Sequence, residues 1–128
     1  MPDALVSKVL TAPKFKYSQL IKAGPNYICS GMVALDNETG ELIAGEAGQQ
    51  TKKIFENLHL LMQEFDLCLQ DLASVRIFTT QFDRFAEINT VWEDVFKGDI
   101  RPPARSAVGV SALPLNAKVE IEFLFYRD

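Results

Sequence analysis

Apolar residues recur at two periods along the chain, and the period separates helices from strands. Ile54, Leu58, Leu61 and Phe65 fall at steps of four, three and four, which predicts a helix over residues 49–66. Phe85, Ile88, Trp92 and Val95 fall at steps of three, four and three, the same helical period, and Asp83 stands where an N-cap is expected. Both stripes call for an apolar surface to cover.

Elsewhere the period is two. Residues 15–23, a Gly-Pro turn at Gly24-Pro25 and residues 27–32 read as a hairpin. Asp36-Asn37-Glu38-Thr39-Gly40 supplies residues suited to a tight turn. Further strands are expected over 72–79, 104–110 and 118–126. The order is strands, helix, strand, helix, two strands. This predicts one α+β domain over residues 1–128, with both helices on one face of a mixed sheet. Internal repeats, low-complexity tracts and linkers are absent.

Alternation assigns faces. In the last strand Val119, Ile121, Phe123 and Phe125 share one side, and Glu120, Glu122, Leu124 and Tyr126 the other. In the strand before it, Arg105, Ala107 and Gly109 oppose Ser106 and Val108. If the valines and phenylalanines meet the helices, Arg105 and Glu120 both project from the helix-free face. The small and aromatic residues there suit contact with a partner subunit. Arg105 is the feature that needs explaining, because a guanidinium stays charged and needs water or an anion beside it.

Composition narrows the function classes. The chain has 128 residues, 48% hydrophobic, with a net charge of −4. That acidic balance, without a cluster of lysines and arginines, disfavours nucleic acid as a partner. Cys29 and Cys68 form no CxxC pair, which argues against a disulfide framework or a thiolate metal site. The N-terminus lacks a signal-peptide pattern, and no apolar run is long enough to span a bilayer. A cytoplasmic protein is expected. His59 alone makes no zinc site or triad. Ser30-Gly31 lacks the context of a nucleophile elbow, and residues 45–48 lack the ending of a phosphate loop.

Pro103-Ala104-Arg105-Ser106, Leu113 and Val119-Glu120-Ile121 reproduce the spacing of a C-terminal signature. Tyr17-Ser18-Gln19, Lys22-Ala23-Gly24, Ser30-Gly31, Asp36, Thr39-Gly40-Glu41-Leu42 and Phe85-Ala86-Glu87-Ile88-Asn89 precede it in order. Together they resemble the RidA/YjgF family of enamine/imine deaminases over nearly the whole chain. The resemblance implies a chorismate-mutase-like fold and a homotrimer with helices outside, sheets inside and clefts between subunits. It also implies hydrolysis of 2-imino acids, such as 2-iminobutanoate and 2-iminopropanoate, to 2-keto acids and ammonia.

The residues suit that chemistry. Arg105 would grip the substrate carboxylate bidentately, and Glu120 would activate water and return its proton to the leaving ammonia. A protonated imine is already electrophilic, so the reaction needs no metal and no cofactor. Tyr17 would line the cleft from the neighbouring subunit. Ser30, Gly31, Asn89 and Ala107 would contact the substrate, Gly31 and Ala107 through their backbones. Many relatives carry cysteine at position 107 and Gly-Pro before the tyrosine, where this chain has Ala107 and Phe15-Lys16. Two other functions stay open: a non-catalytic binder of small carboxylates, and an endoribonuclease or translation inhibitor. Turnover separates the first from a deaminase. The acidic balance and the lack of a histidine near the motif disfavour the second.

Overall fold

The computed structural model describes residues 1–128. Six strands and two helices follow in the order β1 (Asp3–Leu5), β2 (Leu20–Ala23), β3 (Asn26–Met32), α1 (Ala47–Glu64), β4 (Leu72–Thr79), α2 (Phe85–Val95), β5 (Ala104–Gly109) and β6 (Val119–Tyr126). They form one mixed sheet in the spatial order β1-β2-β3-β6-β4-β5. All pairs are antiparallel except β4 with β5. That parallel pair needs a crossover, and α2 supplies it. β5 therefore forms one edge of the sheet.

The expected strands over 27–32, 72–79, 104–110 and 118–126 lie within a residue of those found. The expected strand over 15–23 shortens to Leu20–Ala23, and β1 is an addition. Residues 7–11 and Gln19 instead make side-chain hydrogen bonds. Ser7 Oγ donates to Glu64 at 2.6 Å, and Thr11 N donates to Asn37 at 2.9 Å. Gln19 Nε2 donates to the Thr11 carbonyl at 2.7 Å.

The helix α1 begins two residues earlier than expected. Glu46 and Gln49 exchange reciprocal bonds as a capping box there. Asp83 is not an N-cap, for it lies inside a 3-10 turn and Arg84 precedes α2 without a side-chain cap. At Asp36-Gly40 the Asp36 carboxylate accepts the N–H groups of Glu38 and Thr39. Gly40 there adopts φ +74, which favours glycine.

Both helices cover one face of the sheet. The stripe residues Ile54, Leu58, Leu61, Ile88 and Trp92 pack with Val75, Ile77, Val119, Ile121, Phe123 and Phe125 in one core. Phe55 sits at its centre, edge-on to Phe123 at 5.6 Å and to Trp92 at 6.1 Å. Both cysteines are free, Cys29 buried and Cys68 exposed. No helix is long and apolar enough to cross a membrane.

Candidate functional site

Arg105 lies on the helix face, not the helix-free face. The parallel register sets Arg105 beside Val75 and Ala107 beside Ile77, and Val75 and Ile77 are buried beneath the helices. Val108 is the outward residue, 46% exposed. Val108 of β5 and the phenylalanines of β6 therefore occupy opposite faces, which overturns the expectation from alternation. Alternation fixes which residues share a side within one strand. The pairing between strands decides which side is inward.

An arginine is tolerated on that face because β5 is an edge strand and α2 offers it a seat. Its guanidinium carbon stands 4.9 Å from the Trp92 ring centre and 5.4 Å from that of Phe85. Arg105 Nη1 donates to Asn89 Oδ1 at 2.8 Å. Phe85, Asn89 and Trp92 are spaced four and three residues apart, so they share one side of α2. Arg76, Arg84 and Arg127 each pair with a carboxylate, and Arg101 donates to the carbonyls of Pro102, Gln70 and Leu72. Arg105 has a single neutral acceptor. Its remaining N–H donors are open to an incoming anion.

Ala107 shares this side. Its methyl packs against the core. Val110 N donates to the Thr79 carbonyl at 2.9 Å, so the Val110 peptide faces β4. Backbone groups alternate along a strand, which turns the Ala107 N–H and C=O toward the free edge.

Glu120 belongs to the opposite face. It pairs with Phe78, between the inward Val119 and Ile121. A register shift between Cys29 and Met32 bulges β3 at Ser30-Gly31. The Glu120 side chain crosses the bulge: a Cβ added at Gly31 would stand 2.8 Å from Glu120 Cδ and 3.1 Å from its Cγ. Glycine is required at 31 for the carboxylate to lie where it does. Partial burial, then the charge of Glu122, raises the Glu120 carboxyl above the ordinary glutamate range.

Tyr17, Ser30 and Gly31 share a cavity of about 80 Å³, whose walls include Gln19 and Asn57. Tyr17 is 55% exposed at its mouth. Ser30 Oγ donates to the Ser18 carbonyl at 2.6 Å, and Ser30 N donates to the Gln19 carbonyl at 3.0 Å. Ser30 thus anchors the segment that carries Tyr17, and its hydroxyl proton is committed to that task.

The candidate residues fall into two groups. Arg105, Asn89 and Ala107 gather at the β5 edge on the helix side. Tyr17, Ser30, Gly31 and Glu120 gather around the β3 bulge. Trp92 and Phe85, which the stripe marks only as core, also hold Arg105. The available signal was Asn89, a polar residue within their apolar side of α2.

A family model described as Endoribonuclease L-PSP matches residues 9–126. A RutC family protein of Pyrococcus abyssi is 36% identical over 126 residues, 98% of each chain. The 2-iminobutanoate/2-iminopropanoate deaminase of Dermatophagoides farinae is 33% identical over 122 residues, 94% of each chain. Among solved structures, RidA from an Antarctic Psychrobacter superposes with a TM-score of 0.87 at 32% identity, covering 97% of this chain and 98% of its own. The chain belongs to the RidA/YjgF family. Its mixed sheet with two helices is that family's fold, as the resemblance implied.

Proposed function

We propose that the protein hydrolyses 2-imino acids to 2-keto acids and ammonia in clefts between subunits of a homotrimer. The observation that carries this reading is Arg105, a guanidinium seated on two aromatic rings with one neutral acceptor and the rest of its donors open. Such a group suits a carboxylate, to which it can donate two parallel hydrogen bonds.

The two groups of residues belong to one site only if two copies of the chain share it. Within one chain Arg105 and Glu120 leave opposite faces of the sheet, on strands separated by β4. The β5 edge of one subunit against the β3–β6 face of the next brings clamp and base to one small substrate. The outward face supports such burial: Ile28, Val108 and Tyr126 are each about half exposed there. Tyr17 then lines the cleft from the subunit that supplies Glu120, opposite the one that supplies Arg105.

In the reaction, Arg105 holds the carboxylate and sets the C=N carbon beside Glu120, a gain of orientation. The Ala107 and Gly31 backbone groups fix the remaining polar atoms. Glu120, ionised, accepts a proton from water as the water oxygen bonds to the imine carbon. The C=N π pair of the protonated imine passes to nitrogen, giving a neutral carbinolamine. Glu120 then gives its proton to the amine, and the C–N bond breaks as the hydroxyl O–H pair forms the keto carbonyl; the hydroxyl proton passes to the leaving ammonia, which departs as ammonium. The raised Glu120 pKa suits both roles, since a weaker acid is a better base.

A coupled assay tests the activity. A threonine dehydratase releases 2-iminobutanoate in the presence of semicarbazide, which traps it. The protein should lower semicarbazone formation and raise 2-ketobutyrate. Unchanged trapping across several amino-acid precursors would replace this reading with that of a carboxylate-binding protein. RNA cleavage abolished by changing Arg105 or Glu120 would replace it with the ribonuclease.

A further inference from the structure

We infer that Trp92, with Phe85 beside it, is a positioning residue that sets the plane of the Arg105 guanidinium and so aims its free edge at the substrate carboxylate. The inference rests on the reading of Arg105 as the carboxylate anchor.

An arginine side chain has many rotamers, and holding one of them costs conformational entropy. A bidentate grip demands a fixed plane, because its two N–H bonds must point along parallel lines. The bond to Asn89 fixes one nitrogen but leaves the plane free to turn about it. The rings supply the missing restraint. The guanidinium carbon lies 4.9 Å from the centre of Trp92 and 5.4 Å from that of Phe85, within the range in which a ring face attracts a cation. No other arginine in the chain lies over a ring.

The Trp92 ring is itself closely packed. It is 6% exposed, with Phe96 tilted against it at 4.6 Å and Phe55 edge-on at 6.1 Å. Its inner side belongs to the core and its outer face carries the cation. A leucine could fill the core at that place. It would offer no π face to Arg105.

Trp92 is also the only tryptophan. Neutralising the guanidinium beside it changes the field at the indole, so carboxylate binding should alter its emission.

The probe is 2-ketobutyrate, titrated into the full-length oligomer by calorimetry and by tryptophan fluorescence. In the unaltered protein both readouts should give the same Kd. Trp92→Phe keeps a ring face and should bind within about 2-fold of the parent, whereas Trp92→Leu should bind about 5- to 10-fold more weakly. The KM for 2-iminobutanoate should rise by the same factor with kcat nearly constant, since the anchor is used in ground state and transition state alike. Phe85→Leu should weaken binding by about 2-fold, and it decides the matter if Trp92→Leu does not fold.

A leucine variant that binds like the parent overturns the inference. So does Trp92→Phe as weak as Trp92→Leu, which would make the role one of volume. Calorimetric saturation without a change in emission overturns it too. Arg105→Ala separates this failure from the larger one. If it still binds 2-ketobutyrate, the carboxylate-anchor reading falls. If it does not bind while Trp92→Leu binds as tightly as the parent, only the positioning role falls.

Discussion

The two halves of the candidate site present their charges in opposite ways. Arg105 stands at a sheet edge, exposed, with a neutral amide and two ring faces for company. Nothing there neutralises it. Glu120 lies in the middle of the sheet, partly buried, folded over the Gly31 backbone and facing the like charge of Glu122. The cation is left unsatisfied and the carboxylate is destabilised. Each arrangement costs the isolated chain something that a bound 2-imino acid or an attacking water would relieve. On the proposed reading the site is split between two copies of the chain, and neither half would work alone.

Breaking the Glu120 half should cost the most. Glu120→Gln keeps the shape over Gly31 but removes the base, so turnover should fall by about 10² to 10⁴-fold. Stability should move the other way. Because the folded-state pKa is raised, the folded protein gains stability as pH falls through that pKa, and the ionised form is the costly one at neutral pH. Glu120→Gln should therefore melt no lower than the parent at pH 7, measured by calorimetry. By the same shift, the acid limb of the parent's pH–rate profile should lie above the ordinary glutamate range.

Breaking the Arg105 half should cost about 10²-fold in kcat/KM for Arg105→Ala, roughly 3 kcal/mol, as for loss of a charge-assisted anchor. Arg105→Lys should recover only a small part of it, since a point charge lacks the planar fork. Lysine as good as arginine would mean that charge attraction alone explains the site. Both variants should keep the parent's oligomer in sedimentation.

Gly31→Ala sharpens the comparison at the bulge. The added methyl would displace the Glu120 carboxylate, so turnover should drop by about 10-fold, less than for removing the base. At the other half, Ala107→Cys should change turnover by no more than about 2-fold, since the position is assigned a backbone role. It should add sensitivity to thiol reagents. A large loss before any oxidation would show that the side chain takes part.

Much of this was legible in the sequence. The stripe Ile54-Leu58-Leu61 and the alternation of β6 fixed the core, because burial alone decides those positions. The spacing around Arg105 and Glu120 gave the family. What alternation could not supply was the inward side of β5, which depends on its parallel register with β4. Nor does local sequence show that residues 15–19 leave the ladder, where the Tyr17 N–H turns back on the Phe15 carbonyl and the Gln19 side chain donates to the Thr11 carbonyl. Trp92 looked like core and is core, and its second contact with Arg105 comes from tertiary packing.

The central claim is that Arg105 and Glu120 act in one cleft but come from different subunits. Subunit mixing tests it. Arg105→Ala and Glu120→Gln proteins, each nearly inactive alone, are unfolded together and refolded at equal amounts. A cleft that takes its arginine from one copy and its glutamate from the next is intact whenever the right neighbours meet, at about one cleft in four for random assembly in a ring. The mixture should recover turnover on 2-iminobutanoate of that order relative to the parent. If both residues served a site within one chain, every site would stay defective, and a mixture no more active than its parts would contradict the account.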